Sequence, residues 1–102
     1  MLEKDFYKFC EEVLSKLFDE LEKMDKNSNL DLDYSDGILK IVDIKSRKTY
    51  VINRNSGNQK IWYSSPLTGA DYFAFDEKEN IWLNDKKEGL HQKLVLELSY
   101  FL

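Results

Sequence analysis

Cysteine, proline, histidine and long apolar runs are all scarce in this chain, and each shortage closes off a class of protein. A single cysteine among 102 residues rules out an internal disulfide, so packing alone must hold the fold. One cysteine and one histidine cannot build a closed tetrahedral zinc site. No apolar run approaches the roughly 18 residues needed to cross a bilayer. Met1 is followed by Glu3, Lys4 and Asp5, which reads neither as a secretory signal nor as an Arg-rich, acid-poor transit segment. The expectation is a cytoplasmic protein, or an organellar one in mature form. A Gly-rich phosphate loop and a serine in a nucleophile elbow are also missing, so familiar catalytic machinery is hard to find.

What remains describes a globular domain. Hydrophobic residues make up 42% of the chain and charged residues 33%, too apolar for a disordered segment. The length fits a single domain over residues 1–102, which would hide about 60–65% of the surface of its unfolded chain. The net charge of −4 is unevenly spread. Residues 1–36 carry eleven acids against five lysines, a balance of −6, while the remainder stands at +2. An acidic front third disfavours nucleic acid and anionic membrane as partners and favours cations or a basic protein surface.

Apolar residues at Phe6, Cys10, Val13, Leu17, Leu21 and Met24 step by three or four, predicting a helix with one buried stripe. Asn27-Ser28-Asn29 ends it. Period two then takes over: Leu30, Leu32 and Tyr34 alternate with Asp31, Asp33 and Ser35. Asp36-Gly37 supplies a two-residue hairpin turn. Further strands are predicted over 38–44, 49–54, 59–64 and 71–75, with a short one over 81–83, separated by turns such as Asn55-Ser56-Gly57-Asn58. After Gly89, the residues Leu90, Leu94, Leu98 and Phe101 share a helical face. Turns this short make neighbouring strands antiparallel. The predicted architecture is α+β: a two-layer sandwich with both terminal helices on one face of a five- to six-stranded antiparallel sheet.

Three features could carry chemistry. Asp19, Glu22 and Asp25 follow one another at intervals of three on the first helix, and Asp31 and Asp33 share a strand face about 7 Å apart. Such carboxylates form open, oxygen-only, weak sites for hard cations such as iron or calcium, or simply a solvated helix face interleaved with lysines. Cys10 on the apolar stripe reads as a small hydrophobe, and His91 as a structural residue, a carboxylate partner or a metal ligand. In Lys60-Ile61-Trp62-Tyr63-Ser64-Ser65-Pro66, either Ile61 or Trp62 must face away from the helices. If Ile61 points inward, Trp62 lies exposed beside Asn53, as a protein-binding hot spot requires; if not, Trp62 belongs to the core.

Tyr50-Val51-Ile52-Asn53-Arg54, then Asn58-Gln59-Lys60-Ile61-Trp62-Tyr63-Ser64-Ser65-Pro66 and Gly69, resembles the sheet signature of the frataxin family. Ile81-Trp82, Gly89-Leu90-His91 and Leu94 continue the match, as does the acidic first helix leading into Leu30-Asp31-Leu32-Asp33-Tyr34. The N-terminus looks more like the bacterial CyaY branch than a mitochondrial precursor. The resemblance implies two helices on an antiparallel sheet. It also implies weak binding of ferrous or ferric iron, and a role in iron–sulfur cluster assembly by docking to cysteine desulfurase and the scaffold protein. By the same resemblance, the iron ligands would be Glu3, Asp19, Glu22, Asp25, Asp31 and Asp33, with Glu11 and Glu12 as secondary candidates. The partner surface would be Asn53, Gln59, Lys60, Trp62, Ser64 and Ser65.

The sequence departs from the family in ways that thin the acidic ridge. Tyr7 stands where some bacterial relatives carry histidine, and Phe18, Lys23, Asn27 and Asn29 stand where they often carry acids. Away from the ridge, after Pro66, where the family's eukaryotic branch often has basic residues, this chain reads Ala70-Asp71-Tyr72. The leading expectation is therefore an iron-responsive monomer that modulates the desulfurase. The alternative is a ferroxidase or iron store that oxidises iron and holds it in oligomers, against which the sequence has no pair of Glu-x-x-His motifs of the di-iron bundle type.

Overall fold

A computed structural model describes residues 1–102. Helix α1 spans Glu3–Met24, followed by strands β1 (Leu30–Ser35), β2 (Ile38–Asp43), β3 (Thr49–Asn55), β4 (Lys60–Ser65), β5 (Gly69–Asp76) and β6 (Ile81–Leu83), and by helix α2 (Leu90–Leu98). The six strands pair in chain order, every neighbour antiparallel. Both helices lie on one face of this meander, so the predicted two-layer α+β sandwich is the observed fold, with six strands. No helix is long and apolar enough to cross a membrane.

The core forms between the layers from the inward residues of every element. Phe6, Cys10, Leu14, Leu17 and Leu21 of α1 meet Leu39, Ile41, Tyr50, Ile52, Ile61, Tyr63, Phe73 and Trp82 of the sheet, and α2 adds Leu90, Leu94 and Leu98. The helical stripe departs from expectation at two positions. Leu14, four residues after Cys10 and three before Leu17, is fully buried, whereas Val13 sits at the margin and Met24 is exposed. Positions 10, 14, 17 and 21 track the 3.6-residue period more closely than a stripe through 13, and Met24 is the last residue of the helix. Burial pushes the Cys10 thiol up to about 12, so it is a neutral apolar side chain at physiological pH.

The β1–β2 hairpin turns on Asp36 and Gly37, both with positive φ (50° and 76°), as a tight two-residue turn demands. Gly37 has a second reason to lack a side chain: a Cβ there would lie 2.5 Å from Cδ of Arg54. That arginine crosses beneath the turn and stacks its guanidinium over the Tyr7 ring, 4.7 Å from the centroid. Closing the sheet's lower end this way fixes β1, and with it the acidic strand face, relative to α1.

Candidate functional site

The outer face of the sheet, opposite the helices, is the first candidate surface. Strand alternation buries Ile61 and Tyr63 and turns Lys60, Trp62 and Ser64 outward, so the arrangement with Ile61 inside is the one adopted. Register then assembles rows across strands. Ile38, Asn53, Trp62 and Tyr72 are successive cross-strand partners in one row. The next row runs Asp33, Lys40, Val51, Ser64, Ala70. Ile38 and Tyr72, 41% and 43% exposed, end this row, with Tyr72 beside the half-buried Trp62 and Ile38 beyond Asn53. The result is an apolar strip with the Asn53 amide set into it, edged by Lys40, Lys60 and Ser64.

Of the sequence-predicted partner residues, Asn53, Lys60, Trp62 and Ser64 share this face. Gln59 and Ser65 do not. Gln59 sits in the β3–β4 turn with φ 54° and its amide donates to the Met1 carbonyl at 3.0 Å. Ser65 is buried on the helix side, because period two places it with Ile61 and Tyr63. Ile38 and Tyr72 complete the row although the sequence reading did not single them out. Their signal was alternation around Leu39 and Phe73, but only the register sets them in one row with Trp62.

The acidic residues spread along an edge and do not converge. Glu3, Glu12, Asp19 and Glu22 are exposed on α1, and Asp31 and Asp33 are exposed on the outer face of β1. No three His, Cys, Asp or Glu side chains come together in a geometry that could hold a metal ion. Asp25 is committed elsewhere: its carboxylate accepts the Asn29 and Leu30 amides at 2.7 and 2.9 Å and so pins the α1–β1 turn. Glu11 accepts the Tyr34 hydroxyl from β1, and burial together with that bond raises the Tyr34 pKa. Glu22 lies eleven residues farther along the same side of the helix, about 16 Å away, too far for a shared ion. Asp33 has Lys40 as its cross-strand partner. The pairs Asp19–Glu22 and Asp31–Asp33 remain, exposed at neighbouring positions of α1 and β1.

Between α1, β5–β6 and the start of α2 lies a groove of about 400 Å³, floored by Phe9, Val13, Phe75 and Trp82 and rimmed by Glu12, Lys16 and His91. Phe9 stacks on Phe75 with centroids 4.5 Å apart. His91 Nε2 contacts the Glu20 carboxylate, tying α2 to α1.

A polar network missed in the sequence runs through the α2 interface. Lys93 pairs with Asp71 at 3.0 Å, and the buried Asn84 amide donates to Asp71 and Glu88 at 2.8 and 2.7 Å. Burial pushes the Asp71 pKa upward, but the bonds from Asn84 and Lys93 outweigh it and leave the carboxyl below its ordinary value. Glu97 is also buried, among hydroxyl groups.

Comparison with known proteins fits this geometry. A model of the frataxin-like domain matches residues 1–102. The mitochondrial frataxin of Arabidopsis thaliana is 32% identical over 101 residues, covering 95% of this chain and 54% of the relative. The iron-sulfur cluster assembly protein CyaY of Thioalkalivibrio sulfidiphilus is 29% identical, covering 84% of this chain and 78% of that one. Trimeric frataxin from the yeast Saccharomyces cerevisiae, solved in complex with ferrous iron, superposes with a TM-score of 0.78 at 26% identity, over 91% of this chain and 84% of the yeast one. The chain spans about half the length of the mitochondrial relatives from Arabidopsis and Dictyostelium discoideum. With the family's domain matched from the first residue to the last, and its likeness reaching the bacterial CyaY branch, this chain belongs to the frataxin family.

Proposed function

We propose that the chain acts in iron–sulfur cluster assembly as an iron-responsive modulator that docks to the complex of cysteine desulfurase and scaffold protein. The observation that carries this reading is the outward row Ile38–Asn53–Trp62–Tyr72, a strip of exposed apolar surface around one amide. A large aromatic ringed by partly exposed neighbours is the composition of an interface hot spot. The name of the bacterial relative, an iron-sulfur cluster assembly protein, supports the same pathway.

The acidic edge has two jobs in this scheme. It offers electrostatic complementarity to a basic partner, which raises the association rate and fixes orientation. It also takes iron weakly, as cargo or signal, at the Asp19–Glu22 and Asp31–Asp33 pairs. An iron ion at either pair cancels part of the charge that attracts the partner, so metal level and docking are coupled. Oxidation and storage of iron in oligomers draws on the trimeric, ferrous-bound yeast relative. The scattered carboxylates of this chain, with Asp25 and Glu11 held by backbone amides and Tyr34, support docking over that alternative.

Reversing charge at Asp19→Lys and Glu22→Lys together tests the electrostatic half. Affinity for the desulfurase–scaffold complex is expected to fall about tenfold at low salt. The deficit should shrink as ionic strength rises and the Debye length contracts from about 30 Å at 0.01 M to about 8 Å at 0.15 M. An affinity and salt slope equal to the wild type's would remove the acidic edge from docking.

A further inference from the structure

Glu97 of α2 is 8% exposed, and four hydroxyls donate to its carboxylate: Tyr50 at 3.1 Å, Tyr63 at 2.8 Å, Thr68 at 3.0 Å, and Ser65. No cation joins them. Lys93, one turn earlier on the same helix, pairs with Asp71 instead. A buried carboxylate without a cation is costly, and a leucine would pack this helix against the sheet without that cost. The residue therefore asks for a reason beyond packing. Burial and the nearby carboxylate raise the pKa values of both tyrosines, so they remain protonated donors.

The donors divide into two sets. Tyr50 and Tyr63 come from the centre of the sheet, on β3 and β4. Ser65 and Thr68 bracket the β4–β5 loop, where only Pro66, Leu67 and Thr68 separate the paired residues Ser65 and Gly69. The Ser65 oxygen also accepts the Leu67 and Thr68 amides, each at 3.0 Å. With both lone pairs engaged, that hydroxyl can only donate toward Glu97. A glutamine at 97 would present an NH2 group to one side of this cluster and could not accept from all four hydroxyls. One carboxylate thus fastens the whole loop to α2 through its serine and its threonine. The same loop leaves Leu67 40% exposed, and it joins the two strands directly after the outward pair Ser64 and Ala70.

The geometry points to Glu97 as a positioning residue for the docking face. Acting through Ser65 and Thr68, it holds residues 65–68, with the exposed Leu67, in one shape where the chain leaves the outward Ser64 of the Trp62 strand. This inference rests on the docking reading for its consequence. Its local part, the hold on the loop, is measurable without any partner. It also explains how Ser65, buried on the wrong side to touch a partner, can still matter to docking.

The test compares wild type, Glu97→Gln, Thr68→Val and Tyr50→Phe by amide hydrogen exchange at Leu67 and Thr68 and by affinity for the desulfurase–scaffold complex. Glu97→Gln is expected to speed exchange at both amides at least tenfold relative to the β4 amides and to weaken binding about tenfold. Thr68→Val, a milder change should Glu97→Gln fold poorly, is expected to do both about threefold. Tyr50→Phe removes a donor that comes from the sheet while Ser65 and Thr68 keep their bonds to Glu97, so it should lower the melting temperature while leaving loop exchange and affinity unchanged. Unaltered exchange in Glu97→Gln and Thr68→Val would overturn the proposal. So would an opened loop with wild-type affinity, or a Tyr50→Phe variant that binds as weakly as Glu97→Gln. Failure of the wild type itself to bind would refute the docking reading and the consequence drawn from it, and the exchange rates would still decide whether Glu97 holds the loop.

Discussion

Trp62→Ala is expected to weaken binding to the desulfurase–scaffold complex by about 30-fold or more, the loss of roughly 2 kcal/mol that marks an interface hot spot. Trp62 lies at the centre of its row, with Asn53 on one side and Tyr72 on the other. Truncating it removes the largest side chain on that face and leaves its neighbours without a flank. The indole carries no charge, so the salt dependence of binding should keep its wild-type slope, in contrast to the Asp19/Glu22 reversal. Stability should change little, because Trp62 is outside the buried cluster that holds the two layers together. Isothermal titration at two salt concentrations, with a melting curve, separates these effects. A folded variant that binds like wild type would count against the docking face.

Leu14→Ala is expected to cost about 2–5 kcal/mol of stability, the range for a fully buried leucine that leaves a cavity. For a domain of this size each kcal/mol shifts the midpoint by about 4–8 °C, so the melting temperature should fall by about 8 °C or more. Val13→Ala, at the margin of the stripe beside the groove, should cost about 1 kcal/mol or less. Equal losses at both positions would mean that α1 is rotated about its axis from the orientation described. That rotation would carry Glu11 away from Tyr34 and redistribute the acidic edge. The pair of variants therefore tests the placement of the edge as well as the core.

The difference between Leu14 and Val13 shows what the sequence could and could not say. Periodicity located the helix and most of its buried face, since Phe6, Cys10, Leu17 and Leu21 repeat at helical spacing whichever neighbour is chosen. It could not choose between two adjacent apolar residues, because that choice depends on where the sheet and α2 lie. The strands were legible for a related reason. Alternation and short turns forced an antiparallel meander, and Asp36-Gly37 specified the hairpin with both φ angles positive.

The candidate site was legible only where local pattern sufficed. Asn53, Trp62 and Ser64 face outward as alternation allows, but Ile38 and Tyr72 join them through register, a long-range property. Ser65 shows the limit from the other side. One residue past Ser64 is enough to reverse its face, and its partner Glu97 is 32 residues away. Asp25 looked like one more acid at helical spacing. Its two backbone acceptor bonds arise only because the chain turns sharply into β1. Spacing along a helix marks carboxylates as neighbours on a turn, and it says nothing of the amides they already serve.

The most direct test of the docking account is a footprint. Isotopically labelled protein is titrated with the unlabelled desulfurase–scaffold complex, and the broadening of each amide is followed. The account predicts loss of signal along Ile38, Asn53, Trp62, Ser64 and Tyr72, extending to Leu67 and to the β1 edge at Asp31 and Asp33, with Val13, Trp82 and His91 around the groove unaffected. Broadening centred on that groove, with the outer sheet face unchanged, would contradict it.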